Sequence, residues 1–228
     1  MPRERAIPVI RPLTRRTLLS AVEGLTNADP ALAASVERFG PPPLWARQPT
    51  YATLVHLILE QQVSLASARA AFDRLGAVVD PLTPRGFLRL DDAELLAIGF
   101  SRQKTRYARA LATAVLDGSL ALDALPGLPD EEVDAALRRL PGIGPWTATI
   151  YRLMALDRPD AWPVHDIALA QAAAELWELP ARPSAEQMLT LAEGWRPFRA
   201  IAARLLWHYY LSTPRIRQRP GDRSTPAP

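Results

Sequence analysis

Leu140-Pro141-Gly142-Ile143-Gly144-Pro145-Trp146-Thr147-Ala148 decides the fold of this 228-residue chain. The segment before it, opened by Pro129-Asp130-Glu131-Glu132, carries acids in its first turn and reads as a helix to Arg139. Pro141-Gly142 breaks that helix, and Pro145 suits the first position of the next. Gly142 and Gly144 allow positive φ and leave no Cβ between the backbone and a bound group. Ile143 between them would anchor the turn in a core. The helix begun by Pro145 directs free N–H groups and its positive end out of the turn, which makes an anion site. Such a turn can bind a phosphate without reading sequence. An ordinary helix–turn–helix corner with a glycine cap is the competing reading.

Asp166 lies twenty positions after Trp146, at the head of the apolar run Ile167-Ala168-Leu169. Asp is a natural N-cap, so a plain cap is one reading. The other follows from position: an acid one helix beyond a phosphate-binding turn would face the same strand of a nucleic acid. Cleavage of an N-glycosidic bond builds positive charge on the sugar, and a carboxylate there stabilises it and orients water. The helix start would favour negative charge at this point. His165 beside it reads as a packing or phosphate-contact residue rather than a catalytic one. His56, His165 and His208 are the only histidines and have no ligand spacing, so a side-chain metal centre is not expected.

The chain has no Cys, which excludes disulfides, iron–sulfur clusters and cysteine zinc sites. Met1 to Arg16 shows no signal peptide and no segment is apolar for a membrane-spanning length, so a cytoplasmic protein is expected. The net charge of +3 is unevenly placed: residues 1–16 carry +4 and 215–228 carry +3, leaving −4 over the rest. Any nucleic-acid contact must therefore come from a local patch or from backbone amides. The Arg-rich tails read as solvated ends, disordered from Pro214 on. Lys104 is the only lysine.

Working outward, helices are expected from Thr50 or Tyr51 to about Gln62, from Ser64 with Gly76 as its stop, after Thr83-Pro84, and from Asp91 to Ile98. Further helices are expected at Arg102–Asp117, Pro145–Leu156, Asp166–Glu178, Ser184–Gly194 and Phe198–Leu211. No segment sustains strand alternation, so the fold class is all-α, with roughly ten short helices. Gly40-Pro41-Pro42-Pro43 and Asp157 to Pro163 are the expected crossings between two helical lobes.

Four segments together resemble the helix-hairpin-helix DNA glycosylase superfamily, in its DNA-3-methyladenine glycosylase II branch. They are Ile58-Leu59-Glu60-Gln61-Gln62-Val63-Ser64; Gly99-Phe100-Ser101-Arg102-Gln103-Lys104 with Tyr107; Leu140 to Tyr151; and Trp195-Arg196-Pro197-Phe198-Arg199 with Trp207. The resemblance runs from about Asp29 to Tyr210. It implies a middle lobe of 45–157 ending in the hairpin, a second lobe of 1–44 plus 158–228, and a DNA-binding cleft between them. It implies Asp166 as the catalytic carboxylate and Gln62, with Gln61, as the wedge that fills the gap left by a flipped base. Trp207, Trp146, Ile150 and Tyr151 are implied around the base pocket, whereas the apolar residues Ile201, Leu205 and Trp207 by themselves favour core packing for Trp207. Gly142, Ile143, Gly144 and Thr147 are implied on the DNA backbone. A monovalent cation, Na+ or K+, is implied on hairpin carbonyls, with no other cofactor. The chain departs from the family in its polar wedge, in Ile150 where an aromatic is usual, and in His165-Asp166 where two acids are common.

Lyase-type members of the superfamily use a lysine where this chain has Trp146, and a Schiff base requires an amine. The resemblance therefore implies a monofunctional, monomeric enzyme that uses water on alkylated purines in double-stranded DNA. Alkylation at a ring nitrogen makes the base a cationic leaving group that an aromatic face can favour, and the target must leave the stack to be reached. The rival readings are a glycosylase for another lesion, a non-catalytic DNA-binding module, and a helical scaffold. They are separated by whether Asp166, Gly142, Gly144 and Trp207 border one cleft.

Overall fold

A computed structural model describes residues 12–214, and among these every regular element is helical. The Arg-rich ends lie outside the described residues, apart from Arg15 and Arg16. Twelve α-helices occur in it: α1 Arg15–Ala28, α2 Pro30–Phe39, α3 Tyr51–Glu60, α4 Leu65–Val78, α5 Pro84–Phe87, α6 Asp92–Ile98, α7 Arg102–Leu116, α8 Asp130–Arg138, α9 Pro145–Met154, α10 Ile167–Leu176, α11 Ala185–Glu193 and α12 Arg199–Ser212. A 3-10 segment, Leu122–Gly127, precedes α8. No helix among the described residues is long and apolar enough to cross a membrane.

Local chemistry sets most of the starts. Thr14, Asp29, Thr50, Ser64, Thr83, Asp91, Ser101, Asp166 and Ser184 each accept a first-turn N–H with the side chain. Gly76 does not stop α4, which continues to Val78. A lone glycine inside a helix costs only about 1 kcal/mol, and Leu75 beside it is fully buried. Helix α1 buries Leu18, Ala21, Val22 and Leu25, one face of a helical wheel.

Helices α3 to α9 pack on one another, chiefly α3 on α4, α7 and α9, α5 on α7, and α8 on α9. Helix α12 packs on α1, α2, α10 and α11. The chain passes between these two sets at 40–50 and again at 155–166, both irregular. Arg204 of α12 joins them. It is fully buried and donates to Leu44 O at 2.8 Å, to Leu153 O at 2.8 Å and to Ala200 O at 3.2 Å, with Asp157 at 3.8 Å. Burial pulls its guanidinium down to about 10, still charged at neutral pH.

Candidate functional site

The turn between α8 and α9 is held by an aromatic ring. Gly142 has φ +84, and a Cβ there would fall inside the ring of Tyr107 from α7. Both constraints demand glycine. Gly144 differs from the sequence expectation: its φ is −85, and nothing lies within 4 Å of where its Cβ would be. Its freedom from a side chain therefore leaves open space above the turn. Ile143 is 4% exposed and anchors the turn, as expected. Helix α9 begins at Pro145 with no side-chain cap. The first-turn N–H groups of Trp146 and Thr147 thus have no acceptor within the helix.

These two glycines respond differently to substitution. Gly142→Ala should cost the hairpin its shape and lower the melting temperature. Gly144→Ala should change melting by about 1 kcal/mol or less, as a cap change does. If a phosphate seats on the turn, the Gly144→Ala methyl should weaken DNA binding about tenfold, the value of one charge-assisted hydrogen bond. Thermal melts and fluorescence anisotropy of both variants check this.

Asp166 caps α10. Its Oδ1 accepts from Leu169 N at 3.0 Å, and its Oδ2 accepts from Trp146 Nε1 at 3.1 Å. The carboxylate is half-buried, and the indole of the hairpin helix fixes it directly. Each carboxylate oxygen has a further lone pair to offer. His165, exposed and at φ +65, stands beside it, which removes the packing reading of that histidine.

Glu60, Gln62, Lys104, Gly142, Gly144, Trp146, His165 and Asp166 border one cleft of about 710 Å3. The hairpin and the carboxylate are thus brought together. Gln62, at φ +58, is exposed on its rim. Gln61 does not act as a wedge here: its Nε2 donates to Gly142 O at 2.8 Å and to Thr147 Oγ1 at 3.1 Å. Thr147 is 3% exposed, so its hydroxyl serves Gln61 rather than DNA. Three residues expected around a base pocket do not line the cleft. Ile150 and Tyr151 are buried in α9, one turn or more below Trp146. Trp207 is buried in the core at 9% exposure, the core-packing alternative for this residue.

Lys104 also borders the cleft, and the sequence does not mark it as a site residue. Lys104 Nζ donates to Leu59 O at 2.7 Å, and burial lowers its ammonium from the usual lysine range. Arg102, Arg106, Arg138 and Arg139 are exposed without hydrogen bonds or ion pairs. Arg106 lies 5.5 Å over the Tyr107 ring, and Arg138 and Arg139 immediately precede the hairpin. They are exposed cations on residues that flank Lys104 and the hairpin in the sequence.

The carbonyls of the two glycines each already accept one hydrogen bond. Gly142 O accepts from Gln61, and Gly144 O accepts from Ala148 N. An ion would have to share both with these donors. Among the described residues no group of three or more His, Asp or Glu could hold a metal ion.

An uncapped helix–hairpin–helix turn facing a fixed carboxylate across one cleft is the arrangement of a known class. Residues 55–197 match the model of the HhH-GPD superfamily base excision DNA repair proteins, and the chain belongs to that family. Among its relatives is DNA-3-methyladenine glycosylase 1 of Schizosaccharomyces pombe, 27% identical over 82% of this chain and 83% of the relative. The chain is 29% identical to YfjP of Bacillus subtilis over 78% of its own length, spanning 64% of that protein. It spans 32% of the Mycobacterium tuberculosis transcriptional activator/DNA repair enzyme AlkA, at 34% identity over 67% of its own length. The solved structure of S. pombe 3-methyladenine DNA glycosylase Mag1 with abasic DNA superposes with a TM-score of 0.76 at 26% identity, covering 84% of this chain and 95% of Mag1.

Proposed function

We propose that this chain is a monofunctional DNA glycosylase of base excision repair that hydrolyses the N-glycosidic bond of alkylated purines such as 3-methyladenine. The observation that carries this reading is the meeting of Asp166 with the hairpin in one cleft. The glycosylase names of its relatives support it.

In this reading a backbone phosphate of double-stranded DNA sits on the open start of α9, and the unpaired arginines hold its neighbours. The lobes, 45–157 against 12–44 plus 158–214, face the duplex from either side. Gln62 fills the space of the displaced nucleotide. Asp166 carries the chemistry: its charge stabilises the sugar cation as the C1′–N bond breaks, and it receives the proton of the attacking water. The products are free base and an abasic sugar. The Trp146 indole, tethered to Asp166, offers a face to a cationic purine. No amine stands at the hairpin position, and Lys104 is bonded to Leu59 O, so water is the nucleophile. No step runs through an ion. The reading further takes the protein to be a monomer that works in the cytoplasm.

Incubation with randomly methylated DNA tests the proposal. Free 3-methyladenine should appear, with the DNA strand left uncut until alkali is added. Retained DNA binding without released base would leave a binding module instead. Strand cleavage without alkali would make it a lyase.

A further inference from the structure

The loop between α3 and α4 is tied down at several points yet holds its side chains in solvent. Lys104 Nζ donates to Leu59 O in the last turn of α3. Gln61 Nε2 donates to Gly142 O and Thr147 Oγ1 of the hairpin. Ser64 Oγ accepts from Ser67 N, closing the other end as the cap of α4. Between and beside these ties stand Gln62 in left-handed backbone, Val63 at 47% exposure and Leu65 at 60%. A slack loop would turn such apolar side chains inward; the anchors hold them out.

We propose that Gln61 and Lys104 are positioning residues that lock this loop to the hairpin, so that a phosphate seated on α9 sets how deeply Gln62, Val63 and Leu65 enter the base stack. The proposal rests on the glycosylase reading above. The carboxamide suits the role because its NH2 has two hydrogens, and Gly142 O and Thr147 Oγ1 take both. A carboxylate of the same length would have no proton to give and would face a carbonyl oxygen. The cation of Lys104 suits the negative end of α3. The single lysine of the chain thus stands under the wedge loop, not at the hairpin.

The test uses a duplex carrying an abasic analogue flanked by 2-aminopurine, whose fluorescence rises when it is unstacked. The intact protein should give a rise that Gln61→Leu and Lys104→Met each lower or slow. Affinity for undamaged DNA should fall far less. Base release from a paired lesion should fall about tenfold to hundredfold, the effect of an ångström-scale misplacement. That loss should shrink several-fold when the lesion faces an abasic gap, where little unstacking is needed. Gln61→Glu should behave like Gln61→Leu. An unchanged fluorescence rise, or equal loss on paired and gapped lesions, overturns the proposal. If the intact protein releases no base while Gln61→Leu still lowers the fluorescence rise, the glycosylase reading fails and the lock stands.

Discussion

Asp166→Asn should reduce base release from methylated DNA at least about 100-fold, the usual cost of removing preorganised charge stabilisation. The fold should survive, because Asn caps a helix about as well as Asp. One contact inverts, however. The Asn oxygen can keep the bond from Leu169 N, but its NH2 then meets the Trp146 indole N–H, donor against donor. Loss of charge and loss of the tether therefore coincide in this variant. Trp146→Phe separates them, since it keeps a ring and the Asp166 side chain; it should cost much less than Asp166→Asn. Single-turnover base release and melting curves of both variants check the argument. Equal release by Asp166→Asn and the intact protein would reduce Asp166 to a helix cap.

The largest effect on stability is expected at Arg204→Met. The substitution fills much of the volume but strands the carbonyls of Leu44 and Leu153 and removes the cation 3.8 Å from Asp157. Breaking a buried charge site of this kind costs about 3–5 kcal/mol, or roughly 10 °C in Tm for a chain of this size. The loss should depend on pH. Burial already raises the Asp157 carboxyl, and Arg204 opposes that rise. Without Arg204 the rise grows, so the folded variant takes up a proton more readily than the unfolded chain does. Its stability then increases as pH falls through the carboxylate range, and the deficit against the intact protein should narrow from neutral pH to about pH 5. Calorimetric melts at the two pH values measure this. A constant deficit would remove Asp157 from the account.

What the sequence discloses divides along the range of the interactions. The hairpin is local: Pro141, Gly142, Gly144 and Pro145 each act within a few residues, so its position and its open helix start are readable directly. The caps at Ser64, Asp91, Ser101 and Asp166 are local for the same reason. The demand for glycine at 142 is only half local, because the ring that excludes a Cβ belongs to Tyr107, on another helix. Gln61 reaches across 81 and 86 residues, and nothing in a Gln-Gln pair tells which amide turns inward. Trp207 and Trp146 are alike as letters. One is buried by the neighbours of α12, while the other stands at an exposed helix start. The net charge hides the exposed Arg102, Arg106, Arg138 and Arg139, because acids elsewhere in the chain offset them.

The knot at Arg204 bears on the DNA as much as on the protein. One planar guanidinium bonded to carbonyls from the 40–50 crossing, from α9 and from α12 ties the two helical sets together at that point. The more such a tie resists closure of the jaws around a straight rod, the more the rod must bend to enter them. In the proposed reaction the mechanical work then falls on the duplex, whose stiffness varies with its base steps. The same lesion should accordingly be found faster beside a pliable pyrimidine–purine step than inside a rigid A-tract, with no side chain reading either sequence.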